Sequence, residues 1–572
     1  MGKLYEAARK KIASLLESIY GENISDRQKE AFFHLIEENI QEDITCQLEK
    51  WNEQDVVLIS YGNSVLDENE NPLNTLHRFL SEYVAGKINT VHILPFFPYS
   101  SDDGFSVIDY YKVDPQLGSW KEVEAISNDF NLMADLVINH VSAQSEWFQN
   151  FLERKDPGKD FFIEMDPETD LSMVTRPRSH PLLTKVQTNE GEKHVWTTFS
   201  DDQVDLDFSN PEVLFQMLKV LFFYIHKGVR IIRLDAIAYL WKKPGTSCIH
   251  LPETHKIVNL IRELAELIHP DTVILTETNV PHKENLSYFG NYNEAHMIYQ
   301  FSLPPLLLHA LHTGVSDHLV EWIKTVPETN GKGTYLNFTA SHDGIGVRPL
   351  EGILPEQEKR ALIEKMKAFG GYVSTKTNKD GTESAYEINI TYFDALKGTA
   401  DGIDDLQAER FLCSQTIMMA LKGIPAFYIH SLLATQNDQE GVDKTGKYRA
   451  INRKTLQMED IKSSMDDSNS NTYKVFSEIE RLLKLRNTQK AFHPDSKQFP
   501  LDLGSSFFGI KRVSEQEDTV YHVSNITASS ADLNTEFLEG KGDFIDLISG
   551  RKIKNGENIK FFPYQTVWLK HT

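Results

Sequence analysis

Short apolar runs alternate with amphipathic helical patterns along most of the chain. Apolar runs that are nearly continuous are typical of parallel strands buried on both faces. Eight runs lie at Val56–Tyr61, Val91–Phe96, Leu132–Asn139, Val229–Asp235, Val273–Glu277, His296–Phe301, Tyr335–Ala340 and Ile424–Ile429. Helical patterns such as Glu212–His226, Lys256–Ile268 and Glu358–Phe369 separate them. This alternation predicts an α/β fold, a (β/α)8 TIM barrel with its functional site at the C-terminal strand ends.

The start of the chain has a different pattern. Ile12, Leu15, Leu16 and Ile19 form one apolar helical stripe, and Ser25 to Gln28 has the sequence of a capping box. Residues 1–54 are therefore predicted to form an N-terminal helical extension that packs on the main fold.

Two connections are too long for ordinary loops of a barrel. Residues 141–208 follow the third strand, and residues 344–396 follow the seventh. Both insertions are expected to overhang the mouth of a barrel that spans residues 55–494. Beyond the barrel, alternating runs predict a small antiparallel β domain over residues 495–572. Its strands are expected at Phe507–Val513, Val520–Ile526, Phe544–Ile548 and Ile559–Leu569.

Composition narrows the class of protein. A formal net charge of -24 argues against a nucleic-acid partner, because such proteins carry a basic face. No stretch approaches the roughly 20 apolar residues of a membrane span, so no membrane association is expected. Three widely spaced cysteines, Cys46, Cys248 and Cys413, predict neither a disulfide framework nor a cysteine metal site. We interpret this composition as that of a cytoplasmic enzyme or binding protein.

Polar clusters close four of the predicted strands. They are Asp135 to His140, Arg233 to Asp235, Glu277 to Asn279, and Ser341 to Asp343. Because side chains alternate along a strand, Arg233 and Asp235 point the same way, and the guanidinium can keep the carboxylate ionised. Single clusters of this kind are often structural ion pairs. Four clusters at one barrel mouth instead suit glycosyl transfer, which needs paired carboxylates.

The four clusters, in this order, resemble the signature regions of the α-amylase superfamily (glycoside hydrolase family thirteen), most closely its sucrose phosphorylase branch. Further motifs that carry the resemblance are Leu94-Pro-Phe-Phe97, Asp102-Asp-Gly-Phe105, Leu117-Gly-Ser-Trp120, Arg176-Pro-Arg178, Gly245-Thr-Ser-Cys248, His342-Asp-Gly-Ile-Gly346 and Ile451-Asn-Arg453. The resemblance implies a retaining double displacement. Asp235 matches the nucleophile, Glu277 the general acid/base and Asp343 the carboxylate that stabilises the transition state. The residues that match the glucosyl-binding positions are Asp102, Phe105, His140, Phe199, Arg233, His342 and Arg453.

In this branch inorganic phosphate takes the place of water as the second acceptor. Arg176 and Arg178 are the candidates for binding it, because guanidinium groups bind phosphate in a bidentate manner. Surface-exposed arginines without a ligand are the alternative interpretation of this pair. Tyr239 matches a position that lines the same acceptor space.

The acceptor residues differ from those typical of sucrose phosphorylases. Asn279, Tyr386 and Glu387 lie in segments that instead resemble the glucosylglycerate phosphorylases, where the acceptor is D-glycerate. The resemblance therefore implies reversible phosphorolysis of 2-O-α-glucosyl-D-glycerate. Sucrose, sucrose 6′-phosphate and glucosylglycerol phosphorylases remain alternatives, followed by an α-glucosidase and an inactive binding homologue. The expected partners are an α-glucoside and phosphate, with no cofactor and no metal ion. A homodimer is compatible with the family.

Overall fold

The computed structural model describes residues 2–40, 49–378, 382–538 and 542–572. Eight parallel strands close into a barrel, as predicted: β1 Val57–Ser60, β2 Thr90–Ile93, β3 Asn131–Val137, β4 Val229–Asp235, β5 Val273–Thr276, β6 Met297–Tyr299, β7 Thr334–Phe338 and β8 Ile424–Tyr428. Each strand pairs with its neighbours in the chain, and β1 pairs with β8. The strands are almost completely buried, which explains their nearly continuous apolar sequence.

Helices surround the barrel and lie mainly in the connections between its strands. They are Pro72–Phe79, Trp120–Asp129, Pro211–His226, Pro252–Ile268, His282–Leu286, Leu303–Thr313, Asp317–Lys324, Gln407–Ala420 and Asn471–Arg486. Several begin with a capping residue: the side chain of Asn210, for example, accepts a hydrogen bond from the backbone N–H of Glu212. Across the described ranges, none of the helices has both the length and the apolar character that crossing a bilayer requires.

The N-terminal helices Gly2–Tyr20 and Asp26–Asn39 pack against the outside of the barrel. The predicted capping box at Ser25 forms with Gln28. Phe32 packs edge-on against Phe215 of the Pro211–His226 helix, with ring centroids 5.3 Å apart. Lys256 Nζ donates to the backbone oxygen of Ser18 over 2.6 Å. Residues 41–48, including Cys46, lie outside the described residues, whereas Cys248 and Cys413 are buried free thiols.

Both long insertions contain structure of their own. The first carries the helix Glu146–Glu153 and the strand pair Leu183–Thr188 with Gly191–Trp196. The second carries the helix Glu356–Ala368 and a three-stranded sheet of Ile345–Gly346, Glu383–Asn389 and Tyr372–Thr377. A register shift in this sheet leaves Tyr386 as the extra residue of a β-bulge, since Ser374 pairs with Glu387 and Thr375 with Ala385.

The C-terminal region forms an antiparallel sheet of six strands: Lys497–Pro500, Phe507–Val513, Thr519–Asn525, Phe544–Asp546, Lys552–Ile553 and Thr566–His571. The prediction of one strand over Ile559–Leu569 was wrong. The segment divides into Asn558–Phe561, which pairs with Ala531–Asn534, and Thr566–His571. Pro563 lacks a backbone N–H, and Tyr564 has a φ of 55°, so the ladder cannot continue between them. The division of the chain at residues 54 and 494 stays a prediction.

Candidate active site

A pocket of about 640 Å³ opens at the C-terminal ends of the barrel strands. Of the residues predicted from the sequence, its lining contains Asp102, Phe105, His140, Arg178, Phe199, Asp235, Tyr239, Glu277, Asn279, His342, Asp343 and Tyr386. Gln203 and Arg449 also line it, although sequence reasoning had not selected them. The pocket therefore gathers residues from the strand ends and from both insertions.

Arg233 and Asp235 lie on the same face of β4, as the alternation along a strand predicts. Arg233 Nη1 donates to Asp235 Oδ1 over 2.9 Å, and Arg233 Nε lies 3.2 Å from the hydroxyl oxygen of Tyr299. Asp135 of the neighbouring strand accepts a further hydrogen bond from Arg233 Nη1. The guanidinium is almost entirely buried. It therefore orients Asp235 towards the pocket and favours its ionised form.

Asp135 belongs to the floor of the barrel and does not line the pocket. Its carboxylate lies between Arg233 and His92, whose Nε2 is 2.7 Å from Asp135 Oδ2. Asp135 and His92 are both fully buried. The sequence placed Asp135 at a strand end, but only the pairing of β3 with β4 shows that it supports Arg233.

Glu277 is held by the backbone that follows Asp235. Ala236 adopts a left-handed conformation, with a φ of 49°, and its backbone N–H donates to Glu277 Oε2 over 2.9 Å. Burial raises the pKa of Asp235 to about 7 and the pKa of Glu277 to about 7, and the negative charge of Asp235 acts in the same direction on Glu277. The positive charge of Arg233 lowers the pKa of both carboxyls, but of the two it is Asp235 that accepts its hydrogen bond, so we assign the proton to Glu277.

Asp343 differs from these two carboxyls in its partners. Arg449 Nη1 lies 2.7 Å from Asp343 Oδ1, and Arg453 Nη2 lies 3.8 Å from the same oxygen. Burial acts to raise the pKa of Asp343, but the positive charges of Arg449 and Arg453 outweigh it and hold that pKa well below its usual range. Asp343 is therefore a permanent negative charge in the pocket.

Two neutral imidazoles and two aromatic rings form the walls. The Phe105 ring stacks on His342 at 4.8 Å between centroids, with an angle of 3° between the planes. His140 Nε2 lies 2.9 Å from the backbone oxygen of Phe105, and its ring lies 5.3 Å from that of Phe199. Burial lowers the pKa of both histidines, which keeps them uncharged hydrogen-bonding groups.

Asp102 reaches the pocket from a strained turn. Asp102 and Asp103 have φ values of 51° and 50°, and a side chain at Gly104 would meet the backbone oxygen of Pro95 at 2.6 Å. Arg453 lies behind this turn instead of lining the pocket. Its guanidinium pairs with Asp103, and its Nε donates to the backbone oxygen of His342 over 2.8 Å.

Arg178 is the basic side chain on the side of the pocket formed by the two insertions. Its guanidinium carbon lies 5.0 Å from the centre of the Tyr386 ring and 6.0 Å from that of Phe199. The Tyr239 ring lies 5.4 Å from the Phe199 ring. Arg233 and Arg449 are engaged by carboxylates, whereas Arg178 forms no salt bridge within the described part of the chain.

The structure does not bring every predicted residue into this pocket. Arg176 points elsewhere, donates to the backbone oxygen of Ser179 over 3.3 Å, and lines a separate hollow with Lys376. Glu387 is buried against Arg449 instead of lining the pocket. Arg449 lies on the short turn Tyr448–Asn452, four residues before Arg453, and this nearness in the sequence could have suggested it. No sequence signal marked Gln203.

The functional groups in and around the pocket are carboxylates, imidazoles and guanidiniums. In the described ranges, no three or more His, Cys, Asp or Glu side chains are grouped as a metal site would require. A (β/α)8 barrel with three carboxyl groups at its C-terminal mouth defines the class of protein as a barrel enzyme that acts on carbohydrates.

Comparisons with known proteins agree with this class. Residues 82–344 match the model of the α-amylase catalytic domain. The chain is 43% identical to the glucosylglycerate phosphorylase of Escherichia coli (strain K12), covering 98% of this chain and 100% of that protein. It is 46% identical to the glucosylglycerate phosphorylase of Spirochaeta thermophila, covering 90% of this chain and 89% of that protein.

Among solved structures, the sucrose 6F-phosphate phosphorylase from Thermoanaerobacter thermosaccharolyticum superposes with a TM-score of 0.73 at 26% identity. That match covers 90% of this chain and 99% of the other. The chain therefore belongs to the α-amylase superfamily, in its sucrose phosphorylase-like branch.

Proposed function

We propose that this protein is a retaining glycoside phosphorylase that catalyses the reversible phosphorolysis of 2-O-α-glucosyl-D-glycerate. Asp235 attacks the anomeric carbon of the glucosyl unit while Glu277 donates its proton to the glycerate oxygen that leaves. A β-glucosyl ester on Asp235 results. Phosphate then attacks the same carbon while the bond between that carbon and Asp235 breaks, which regenerates the carboxylate and releases α-D-glucose 1-phosphate. Glu277 accepts the proton of the attacking hydroxyl when the acceptor carries one.

The arrangement of charge supports these two roles. Asp235 is oriented by Arg233 and favoured as a carboxylate, and Glu277 accepts one backbone N–H and keeps a pKa near 7. Positive charge develops on the sugar in the transition state. The permanent carboxylate of Asp343 stabilises that charge. Asp102, His140 and His342 supply hydrogen-bonding groups for the glucosyl hydroxyls, and Phe105 and Phe199 supply apolar walls.

The acceptor side needs a positive charge, because phosphate and D-glycerate are both anions and the pocket already holds several carboxylates. Arg178 fits this need, since its guanidinium faces the pocket without a carboxylate partner in the described residues. Tyr239, Tyr386 and Asn279 line the same side and offer hydroxyl and amide groups to the acceptor. Arg176 is the weaker of the two arginine candidates because it lies outside this pocket.

The assignment of D-glycerate as the acceptor rests on one observation. Over nearly its whole length the chain is 43% identical to a glucosylglycerate phosphorylase, whereas it is 30% identical to a sucrose 6F-phosphate phosphorylase over 77% of this chain. The similarity extends through both insertions, which form the acceptor side of the pocket. The simplest explanation of similarity that continues through both insertions is that this chain and the glucosylglycerate phosphorylases share an acceptor site.

Phosphate release from α-glucose 1-phosphate tests this proposal. The purified protein is supplied with D-glycerate, fructose, fructose 6-phosphate or glycerol in parallel reactions, with water alone as the control. We expect release with D-glycerate to exceed that with fructose or glycerol by at least about 10-fold, because a site built for a carboxylate rejects neutral acceptors that leave its charge unpaired. Release with D-glycerate is also expected to exceed that with fructose 6-phosphate, a larger acceptor whose anionic group is a phosphate. Faster release with fructose would overturn the acceptor assignment. Glucose release independent of phosphate would indicate a hydrolase.

A further inference from the structure

Glu387 is a buried carboxylate for which the two-step reaction gives no role. Only about 1% of its surface is exposed, and it lies on the strand Glu383–Asn389 of the second insertion. Its partner is Arg449, which comes from the short turn Tyr448–Asn452 beyond the last barrel strand. Arg449 Nε donates to Glu387 Oε1 over 2.8 Å, and Arg449 Nη2 donates to Glu387 Oε2 over 2.9 Å. Two parallel hydrogen bonds of this kind fix a guanidinium in both position and plane.

The remaining terminal nitrogen of the same guanidinium faces the active site. Arg449 Nη1 lies 2.7 Å from Asp343 Oδ1. Arg449 therefore bridges two carboxylates. One is buried on the hairpin Tyr372–Thr377 with Glu383–Asn389, called here the acceptor hairpin, and the other lies in the pocket. A guanidinium held by Glu387 in two places has no freedom to turn its third nitrogen away from Asp343.

We propose that Glu387 is a positioning residue that acts through Arg449 on Asp343. The Glu387–Arg449 pair holds the guanidinium where it orients Asp343 towards the glucosyl unit. It also joins the acceptor hairpin to that carboxylate, because the residue before Glu387 is Tyr386 in its β-bulge, which lines the acceptor side. This inference rests on the proposed glucosyl transfer.

Glu387→Gln tests the proposal, since it keeps the size of the side chain and removes its charge. The first half-reaction is measured with α-glucosyl fluoride, which transfers glucose to Asp235 whatever the natural acceptor is. We expect kcat to fall on the order of 10- to 100-fold, the usual cost of a misplaced group in a site. The KM for the fluoride is expected to change less than threefold, because Glu387 does not touch the donor. Glu383→Gln is the control: it lies on the same strand, is exposed, and is expected to stay within twofold of the wild type.

A double-mutant cycle distinguishes positioning from a structural ion pair. If Glu387 acts through Arg449, Arg449→Met and the double variant Glu387→Gln with Arg449→Met lose kcat equally. If the pair is purely structural, the two substitutions are coupled in the unfolding midpoint, and the kcat of each folded variant stays within twofold of the wild type. That result would overturn the proposal. Independent, additive losses of kcat would overturn it as well.

If the Glu387→Gln variant does not fold, Arg449→Lys provides a second test of the proposal. A lysine is a single point charge and cannot bond Glu387 twice while reaching Asp343. We expect the same drop in kcat, and a kcat within twofold of the wild type would overturn the proposal. Acceptor preference is measured separately on the wild type. A preference for fructose over D-glycerate would refute the proposed function, but the comparison of kcat between the wild type and the variants with α-glucosyl fluoride would remain valid.

Discussion

Arg233 Nη1 lies 2.9 Å from Asp235 Oδ1, and both side chains project from the same face of β4. The guanidinium is buried and also bound by Asp135, so it cannot turn away from the carboxylate. Burial alone would favour a protonated Asp235, and this contact opposes that tendency. The pair supplies what the proposed role of Asp235 as nucleophile requires, a buried carboxylate that is favoured in its ionised form.

Asp235→Asn removes the proposed nucleophile with little change in the shape of the side chain. We expect kcat to fall by about 10⁴-fold or more, because the loss of a covalent nucleophile leaves only binding and charge stabilisation. Mass spectrometry of the wild type with a slow fluorinated glucosyl donor should show one added glucosyl group, and the variant should show none. Asp201→Asn, at an exposed carboxylate of the first insertion, is the control. Labelling of the Asp235→Asn protein would contradict the assignment.

The pH profile of kcat/KM should be bell-shaped with its maximum near pH 7. Asp235 must be ionised, so activity is expected to fall as the pH drops below its pKa of about 7. Glu277 must be protonated, so activity is expected to fall as the pH rises above its pKa of about 7. Initial rates of phosphorolysis in buffers of constant ionic strength measure both limbs. Because the two groups interact, the limbs report the pair. A flat profile between pH 5 and pH 9 would contradict these protonation states.

Glu277→Gln separates proton donation from binding. With the glycoside substrate we expect a loss of about 10²- to 10⁴-fold, the usual contribution of a general acid. Formation of the glucosyl-enzyme from α-glucosyl fluoride should fall by less than about 10-fold, because fluoride leaves with little need for a general acid. Pre-steady-state fluoride release measures that step. Equal losses with both donors would argue against the role of Glu277.

Arg178→Gln should weaken the binding of both anionic acceptors. One charge-assisted contact is worth about 1.5–3 kcal/mol, so we expect the KM for phosphate and the KM for D-glycerate each to rise roughly 10- to 100-fold. The matched control is Arg176→Gln, two residues away and outside the pocket, which should change both values much less. Initial rates with each acceptor provide the measurement. A larger effect of Arg176→Gln would reverse the assignment.

Gly346→Ala should disturb the acceptor side through Asn279. A Cβ at position 346 would lie 2.5 Å from Asn279 Oδ1, too close for either group to stay in place. The Asn279 amide has to turn away, and the loss of one hydrogen bond to the acceptor costs about 0.5–1.5 kcal/mol, so the KM for D-glycerate is expected to rise roughly 2- to 10-fold. The KM for α-glucose 1-phosphate without acceptor, measured by slow hydrolysis, should change less. An unchanged KM for D-glycerate would show that Asn279 does not contact the acceptor.

Much of this site could be predicted from the sequence because its parts are local. The eight buried strands follow from continuous apolar runs, and the side-chain alternation along β4 places Arg233 and Asp235 on one face. The carboxyl ends of parallel strands meet at one mouth, which brings Asp235, Glu277 and Asp343 to the same pocket. The prediction of one strand over Ile559–Leu569 was wrong, because the backbone of Tyr564 is left-handed and divides this apolar run into two strands.

Which basic side chains reach the pocket depends on packing between elements, which the sequence does not show. Arg176 and Arg178 are equivalent in the sequence, yet the path of the first insertion turns one towards Tyr386 and the other towards backbone oxygens. Arg449 and Glu387 are 62 positions apart, and nothing local indicates that they meet. The physical reason is that periodicity fixes the direction of a side chain within one element. Contacts between separate elements depend on how the barrel, its insertions and its loops pack together.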